Sequence, residues 1–244
     1  MSEIYENPTI LAEYLLFHYG TADEILPTPV SWPAGMKEAL DFAVRTPAHF
    51  SNEGAQRGLD LGCAVGRSTY EMSRSCGEVV GMDFSHAFIA AAKQLGEGHD
   101  VPYSRRDEGH VETQLSGVLP DGVFPERVSF FQGDAMDLPS DIGTFDRVHA
   151  ANLLCRLGDP VKLLDRLPSL LNPGGQLILA TPCTWLEGFT PSDKWPTGST
   201  LSWLKEHLLE SFELIIEKDE PFLIRETSRK FQWTRSMLTV WRKR

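Results

Sequence analysis

The stretch Arg57-Gly-Leu-Asp-Leu-Gly-Cys-Ala-Val-Gly-Arg67 decides the fold of this 244-residue chain. The apolar residues from Gly58 to Leu61 predict a short buried strand, Gly62 and Gly66 predict a tight turn, and a helical pattern follows from Ser68 to Arg74. Glycine at these two positions lets the backbone turn without a Cβ clash and lets a ligand approach the chain closely. A strand, a glycine turn and a helix in this order predict a ligand site at the turn.

Acidic residues follow the next two strands of the pattern. A second strand ends at Asp83, and a third, from Val128 to Gln132, is followed by Asp134. An acid at the end of the second strand is placed to accept hydrogen bonds from a ribose diol lying across the first turn. The alternative is an NAD-binding turn, but its usual G-x-G-x-x-G spacing differs from the spacing seen here.

The combination of Asp60, the glycine turn, Asp83 and Asp134 resembles the class I, Rossmann-like methyltransferases that depend on S-adenosylmethionine. In that family the turn cradles the methionine part of the cofactor, the second acid holds the ribose and the third contacts the adenine. The family often has glycine where this chain has Ala64, a mild departure. The resemblance implies S-adenosylmethionine as cofactor, S-adenosylhomocysteine as product and no metal. The cofactor-binding residues that it implies are Asp60, Gly62, Cys63, Ala64, Gly66, Arg67, Asp83, Phe84, Ser85, Gly133, Asp134, Ala135, Asn152 and Leu153.

Helix and strand patterns alternate along the rest of the chain. The helix candidates are Ser68–Arg74, His86–Leu95, Val161–Leu171 and Leu201–Leu208. The strand candidates are Gly58–Leu61, Val79–Met82, Val128–Gln132, Phe145–Ala150, Gln176–Thr181, Phe212–Lys218 and Trp233–Trp241. This alternation predicts an α/β fold with a mainly parallel, seven-stranded sheet and helices on both faces. The last two strands have no helix between them, which predicts an antiparallel pair that closes the sheet.

The organisation is that of a single domain covering residues 1–244. Residues 1–52 are predicted to form a helical cap, with helical patterns at Pro8–Phe17 and Met36–Val44. Residues 53–244 are predicted to form the cofactor-binding core, interrupted by insertions near 96–126 and 182–200. The second insertion follows the carboxyl end of a strand, where a substrate lid belongs. The alternative is a loop that packs its tryptophans on its own base.

Composition narrows the possible partners and compartments. The formal net charge of −11 and the pI of about 5.1 make nucleic acid a poor partner. The N-terminus lacks the apolar segment of a signal peptide, and no apolar run approaches the length of a membrane span. The four cysteines are scattered without metal-ligand spacing. We therefore expect reduced thiols, no metal and a cytoplasmic location.

Four segments resemble one branch of the methyltransferases more specifically: Leu11–Gly20, Ala150–Leu157, Thr184–Pro191 and Phe222–Trp233. They are similar to the methyltransferase unit of ovothiol biosynthesis, the 4-mercaptohistidine (5-thiohistidine) N-methyltransferase. In many members this unit follows an iron-dependent sulfoxide synthase, so the resemblance implies a stand-alone form with that synthase as a separate pathway partner. The implied reaction moves a methyl group from S-adenosylmethionine to an imidazole nitrogen of 5-thiohistidine and yields ovothiol A.

A free amino-acid acceptor needs a cation for its carboxylate, an acid or carbonyl for its ammonium and a wall for its ring. Arg225 or Arg229 is the candidate for the carboxylate, and Glu187 or Glu226 for the ammonium or a ring proton. Asn152 follows the fourth strand, where the family orients its acceptor. The candidate catalytic residues are Asn152 and Glu187. The remaining substrate-binding candidates are Tyr14, Phe17, Arg156 and Trp185.

Less specific interpretations stay open at this point. A surface pair between Arg225 and Glu226 is as strongly expected as a contact of either with a substrate. Tyr14 and Phe17, at helical spacing, are more often core residues than ligand contacts. For the whole chain, the alternatives are a methyltransferase with another small-molecule acceptor and a non-catalytic cofactor-binding protein.

Overall fold

A seven-stranded, mostly parallel sheet forms the centre of the protein, as seen in a computed structural model that describes residues 2–244. The strands are β1 Ala55–Leu61, β2 Cys76–Asp83, β3 Val101–Glu108, β4 Val111–Gly117, β5 Val128–Gln132, β6 Phe145–Ala151, β7 Leu171–Thr181, β8 Phe212–Arg225 and β9 Phe231–Lys243. The order in the sheet is β5-β2-β1-β6-β7-β9-β8, and β9 runs antiparallel to both of its neighbours. The predicted fold class is confirmed.

Helices cover both faces of this sheet. They are α1 Pro8–Tyr19, α2 Ala22–Ile25, α3 Phe42–Arg45, α4 Arg67–Met72, α5 His86–Gly96, α6 Pro160–Leu170 and α7 Thr200–Leu208. Short 3-10 turns include Ser2–Glu6 and Leu154–Arg156. Within residues 2–244, no helix has the length and apolar character needed to cross a bilayer.

Alternation along β1 separates the two faces of the core. Leu59 and Leu61 are buried in one apolar cluster with the leucines of α6 and α7. Asp60, between them, points to the other face, where Phe130 and Phe88 pack with α1 and α5. The hydrophobic effect therefore fixes which strand residues face the ligand side and which face α6.

The strand order reverses at β1, which lies between β2 and β6. Both neighbours run parallel to β1, so the carboxyl ends of all three strands meet at one edge. Ligands of open α/β sheets bind in the crevice outside such a switch point. The glycine turn, Asp83 and Asn152 follow these three strands.

The first insertion contains a hairpin that the sequence patterns did not identify, since β3 and β4 pair antiparallel around Gly109 at φ 56°. The helix predicted over Met36–Val44 is broken, because Asp41 adopts a left-handed backbone with φ 58°. It splits the pattern into a 3-10 turn at Lys37–Ala39 and the short helix α3.

Candidate functional site

The glycine turn forms a cradle at the end of β1. Gly62, Ala64 and Gly66 all have positive φ, at 69°, 48° and 84°. A Cβ on Gly66 would lie 2.6 Å from Cζ of Phe130, so this position needs both the backbone freedom and the small size of glycine. The Gly62 amide donates to the carbonyl of Met82 at 2.8 Å, which ties the turn to β2. The cradle is therefore held in place by the neighbouring strand.

Asp83 faces this turn from the end of β2. Its Oδ2 accepts from the amide of Ala64 and its Oδ1 from the amide of Ser85, both at 2.9 Å. Each carboxylate oxygen keeps a second acceptor position, because it has two lone pairs. Two open acceptor positions on one rigid carboxylate fit the vicinal hydroxyls of a ribose. Burial raises the pKa of Asp83 to about 6, so the group is still ionised at neutral pH.

Asp60 has a different environment, although it belongs to the same sequence motif. Its Oδ2 accepts from Ser68 Oγ at 2.6 Å and Thr69 Oγ1 at 2.7 Å, and its Oδ1 lies 2.7 Å from His149 Nδ1. The other ring nitrogen of His149 lies 3.0 Å from Thr46 Oγ1. Asp60 therefore fastens the first turn of α4 to β1 and β6 and shapes the cradle from behind. A direct contact between Asp60 and a cofactor stays a prediction.

Asp134 and Ser85 also lie at the cleft, and they differ in how many of their side-chain polar atoms are already hydrogen-bonded. Asp134 accepts from the amide of Met136 with Oδ1 at 2.8 Å, and no partner of its Oδ2 occurs within residues 2–244. Ser85 is fully engaged, since it caps α5 at the amide of Phe88 and donates to the carbonyl of Tyr5. Phe84 is 47% exposed beside Asp83, a placement that suits a wall for adenine.

The remaining predicted cofactor residues lie within or beside the cradle. Cys63 is buried, and burial raises the pKa of its thiol, so it fills space as a neutral group. Leu153 packs under the turn, close enough that a Cβ on Gly62 would lie 3.0 Å from its Cδ1. Gly133 donates to the carbonyl of Asp83 at 2.9 Å, and Ala135 is buried in the core.

The N-terminal helix α1 is stapled to the cradle by two hydrogen bonds. Tyr19 Oη donates to the carbonyl of Val65 at 2.8 Å, and Arg67 Nη1 donates to the carbonyl of His18 at 3.2 Å. Tyr14 and Phe17 are half-buried on this helix, and Tyr14 lies near enough to Asp83 to sense its charge. Their rings meet edge to face at 6.3 Å, and both residues pack against the core, so a contact with the acceptor stays a prediction.

On the opposite side, Asn152 follows β6 with a positive φ of 56°. Its amide donates to the carbonyl of Ala180 at 2.8 Å, and its Oδ1 accepts from Ser236 Oγ at 2.6 Å. Ser236 is fully buried on β9. Among the described residues only Oδ1 of this side chain is engaged, so Nδ2 stays free to donate into the cleft.

Arg156 joins the N-terminal segment to the second insertion. Its Nη1 donates to the carbonyl of Thr184 at 3.3 Å, and its guanidinium stacks on Phe189 at 4.7 Å from the ring centroid. Tyr5 lies next to both groups, with its ring 6.4 Å from Phe189, and the Arg156 charge opposes the rise that burial causes in the pKa of Tyr5. Sequence patterns did not identify Tyr5 or Phe189, since only the folded chain brings them together.

Arg225 lies elsewhere and is fully occupied at its two terminal nitrogens. Nη2 donates to Asp107 at 2.7 Å and Nη1 donates to the carbonyl of Ile25 at 2.9 Å, and the residue is 4% exposed. Glu226 pairs with Lys230 and accepts from Gln232, rather than pairing with Arg225. The cavity that Arg225 and Glu226 share with α1 measures about 20 Å³, room for about one water and not for an amino acid. The expected grip of Arg225 and Glu226 on a substrate is therefore wrong for this structure.

Trp185, in the second insertion, is also held by contacts with other residues of the protein. Trp185 Nε1 donates to Thr200 Oγ1 at 3.1 Å, and its ring meets Trp203 edge-on at 5.8 Å. The loop thus packs this tryptophan on its own base, as the less specific interpretation held. Glu187 is exposed in the same loop, and Arg229 is exposed at the turn between β8 and β9. Roles for these two residues stay predictions.

Comparison with known proteins identifies this architecture. Residues 59–179, about half of the chain, match the family described as a methyltransferase domain. The chain belongs to the class I methyltransferases that depend on S-adenosylmethionine. A demethylmenaquinone methyltransferase of Clavibacter sepedonicus is 29% identical over 124 residues, which cover 51% of this chain and 40% of that protein. Methyltransferase GfsG of Streptomyces halstedii is 28% identical over 122 residues, which cover 50% and 36%. The matched part therefore spans about two fifths of these methyltransferases' own length.

Solved structures share the fold of this methyltransferase at low identity. N-methyltransferase NodS of Bradyrhizobium japonicum WM9, in complex with S-adenosylhomocysteine, aligns over 97% of this chain and 99% of its own with a TM-score of 0.53 and 15% identity. The [4+2]-cyclase SpnF aligns over 99% and 95% with a TM-score of 0.59 and 18% identity. Because a cyclase shares the fold, the fold alone does not identify the methyl acceptor, and only the residues of the cleft can indicate it.

The cleft of this methyltransferase fits its cofactor. The backbone of the turn leaves space that a Cβ would fill at Gly62 and Gly66, and Asp83 offers two acceptor positions for the ribose. S-adenosylmethionine supplies an activated methyl group when it is bound. The residues that would hold the cofactor are those of the glycine turn and Asp83, at the ends of β1 and β2.

Cofactor affinity of this methyltransferase is expected to depend on pH through Asp83. The ionised carboxylate accepts two hydroxyl hydrogen bonds, whereas the protonated group loses one acceptor oxygen. Because the pKa of Asp83 is raised to about 6, affinity for S-adenosylhomocysteine should fall as the pH drops from 7.5 through 6 to 5. Titration calorimetry across this range checks it, with Asp83→Asn as the control whose affinity stays flat. A wild-type affinity that is constant from pH 7.5 to 5 would remove Asp83 from the ribose site.

Proposed function

We propose that this methyltransferase transfers a methyl group from S-adenosylmethionine to an imidazole nitrogen of 5-thiohistidine, producing ovothiol A and S-adenosylhomocysteine. The proposal starts from the four segments that resemble the thiohistidine enzymes. The first is most of α1, the second continues from β6 past Asn152, and the third is the loop that contains Phe189. Their convergence on one cleft supports a shared role in holding the acceptor.

Contacts between these segments connect them into one wall. Arg156 of the second segment donates to the carbonyl of Thr184 in the third. Thr190 Oγ1 in turn donates to the carbonyl of Leu157 at 2.7 Å and is fully buried. The fourth segment packs behind α1, where the Phe222 ring lies 6.1 Å from that of Phe17. It supports the cleft from outside, and its Arg225 does not reach the acceptor.

The position of Arg156 is the observation that most supports an amino acid as the methyl acceptor. An acidic protein that binds an amino acid must place a cation for the carboxylate, and a guanidinium meets both carboxylate oxygens at once. The geometric hydrogen bonds of Arg156 to Cys155 and Thr184 are all made by Nη1, and the guanidinium also lies beside the Tyr5 hydroxyl, so the other nitrogens are the proposed donors to the carboxylate. The Phe189 ring under the guanidinium fixes its plane. Arg156 is therefore the proposed carboxylate anchor in place of Arg225.

The methyl transfer mainly requires that the ring nitrogen of the acceptor is aligned with the methyl–sulfur bond of the cofactor. A ring nitrogen attacks with its lone pair, forms the new nitrogen–carbon bond, and the electrons of the broken sulfur–carbon bond stay on S-adenosylhomocysteine. The thiolate on the same ring balances the positive charge that the ring gains, so the step itself does not need a buried base. Asn152 is proposed to orient the acceptor through Nδ2, and Tyr14 and Phe17 to wall the ring. Glu187 is proposed to meet the ammonium.

Substituting the two arginines should separate a substrate contact from a structural one. Arg156→Met should raise the Michaelis constant for 5-thiohistidine about tenfold or more, because charge-assisted hydrogen bonds contribute about 1.5–3 kcal/mol, with S-adenosylhomocysteine affinity nearly unchanged. Arg225→Met is the matched control. It should lower the melting temperature, because it takes one donor from Asp107, which keeps Arg105 and Thr113, and removes the donor of the Ile25 carbonyl, and it should spare the Michaelis constant. The reverse pattern would return the anchor to Arg225.

Turnover of 5-thiohistidine against histidine tests the proposed function itself. A site shaped around the ring sulfur loses contacts when the sulfur is missing, so kcat/KM should favour 5-thiohistidine strongly. Equal efficiencies would contradict the thiolated acceptor. S-adenosylhomocysteine binding without turnover of either compound would favour another acceptor or a non-catalytic role.

A further inference from the structure

His18 lies at the junction between α1 and the glycine turn. Its carbonyl accepts from Arg67 Nη1 at 3.2 Å, which fixes the end of α1 against the first turn of α4. Its ring lies 5.2 Å from that of Phe17 and 6.0 Å from that of Tyr14, on the side of the helix that faces the cleft. The imidazole therefore sits above the carboxyl end of β1, beside the cradle.

The two ring nitrogens of His18 are in different surroundings. Nδ1 is buried and has no hydrogen-bond partner among the described residues. Nε2 is not among the buried atoms without a partner, and the residue as a whole is half-buried. An unpaired N–H in the interior costs more than an unpaired acceptor, so we assign the proton to Nε2. The N–H of the ring is then at Nε2, the nitrogen that is not buried without a partner.

The charge state of the ring agrees with this assignment. Burial lowers the pKa of His18 to about 3, and the Arg67 charge lowers it further while Asp60 opposes the change. The imidazole is therefore neutral in the physiological range. A neutral ring protonated at Nε2 can donate to an anion and cannot accept from a cation at that atom.

We propose that His18 is a cofactor-binding residue whose Nε2–H donates a hydrogen bond to the carboxylate of the amino-acid end of the cofactor. In this amino-acid end only the carboxylate accepts hydrogen bonds, because the ammonium is purely a donor. Arg67 adds positive charge at the same place, since Nη1 and Nε are engaged by the His18 carbonyl and Glu71 while its Nη2 stays free among the described residues. The inference rests on the cofactor part of the proposed function and is independent of the methyl acceptor.

A comparison of two ligands isolates this contact. S-adenosylhomocysteine carries the amino-acid end, whereas 5′-methylthioadenosine keeps the adenosine and lacks it. By titration calorimetry, His18→Phe should lower the affinity for S-adenosylhomocysteine about tenfold or more and leave the affinity for 5′-methylthioadenosine within about twofold. Asp83→Asn is the matched control, because loss of the ribose contact should weaken both ligands alike. His18→Gln, which offers an amide donor, should recover part of the loss.

Equal losses for the two ligands in His18→Phe, or no loss for either, would overturn the proposal. A wild-type protein that binds neither ligand would overturn the cofactor assignment itself and the His18 contact with it. Nitrogen-15 spectra of the wild-type histidines give a second measurement that needs no variant. Nε2–H of His18 should shift on addition of S-adenosylhomocysteine and stay in place on addition of 5′-methylthioadenosine, and the same response to both would contradict the contact.

Discussion

Replacing Asp83 by asparagine is expected to lower the affinity for S-adenosylhomocysteine about tenfold or more while the ligand-free protein stays folded. Two hydroxyl hydrogen bonds to a carboxylate are lost, and hydrogen bonds to charged groups contribute about 1.5–3 kcal/mol each. The amide keeps one oxygen that can accept from Ala64 or Ser85, so the turn has a partner left. Calorimetry at pH 7.5 measures the loss, and unchanged affinity would contradict it.

The same variant should not be less stable than the wild type at pH 8 without ligand. The pKa of Asp83 is raised from 3.8 to about 6 in the folded protein, so its protonated form favours folding. That contribution is fully present below pH 3.8 and is lost as the pH rises through 6, where the ionised group is buried at a cost. Asparagine removes this cost, which offsets the loss of one of the two acceptors for the Ala64 and Ser85 amides. A melting temperature well below that of the wild type at pH 8 would show that the carboxylate also has a structural role.

Asp60→Ala is expected to have the largest effect on stability. The substitution leaves three buried groups without their acceptor, on Ser68, Thr69 and His149. Unpaired buried groups cost about 1–3 kcal/mol each, so the free energy of unfolding should fall by about 3–5 kcal/mol after partial relaxation. Urea unfolding measures this change. Asp60→Asn, which keeps one acceptor oxygen, is the control and should lose less.

The two acids are therefore expected to have different roles. Asp60 should matter chiefly for folding and Asp83 chiefly for the ligand. If Asp60→Ala left the unfolding midpoint unchanged and abolished binding of S-adenosylhomocysteine, the acid would contact the cofactor directly and the network around it would be incidental.

The sequence was sufficient for the fold because its signals are local. Gly62 and Gly66 mark a turn that only small residues can form, and Asp83 follows a strand whose length and apolar character are unambiguous. Alternation of helix and strand patterns predicts the parallel sheet, and the missing helix before Phe231 predicts the antiparallel pair. The hairpin of β3 and β4 was missed because its polar, half-exposed strands lack a strong apolar pattern.

The acceptor side could not be predicted in the same way, because it depends on contacts between distant segments. Arg225 has the residue type that a carboxylate anchor needs, but Asp107 and Ile25, far away in sequence, already occupy it. The surroundings of His18 likewise depend on the fold, which places it beside Arg67 and leaves its buried Nδ1 without a partner among the described residues. The sequence shows which residues have side chains able to bind a ligand, whereas the fold decides which of their hydrogen-bond donors are left unpaired.

In the proposed reaction, one cleft brings an activated methyl group to a ring nitrogen of a thiolated histidine. A reaction of the wild-type protein with 5-thiohistidine and S-adenosylmethionine carrying a carbon-13 methyl group, followed by NMR, tests this directly. We expect the labelled methyl signal to move from the sulfonium to an imidazole nitrogen in step with the formation of S-adenosylhomocysteine. A label that stays on the cofactor, or that moves to the sulfur of 5-thiohistidine, would contradict it.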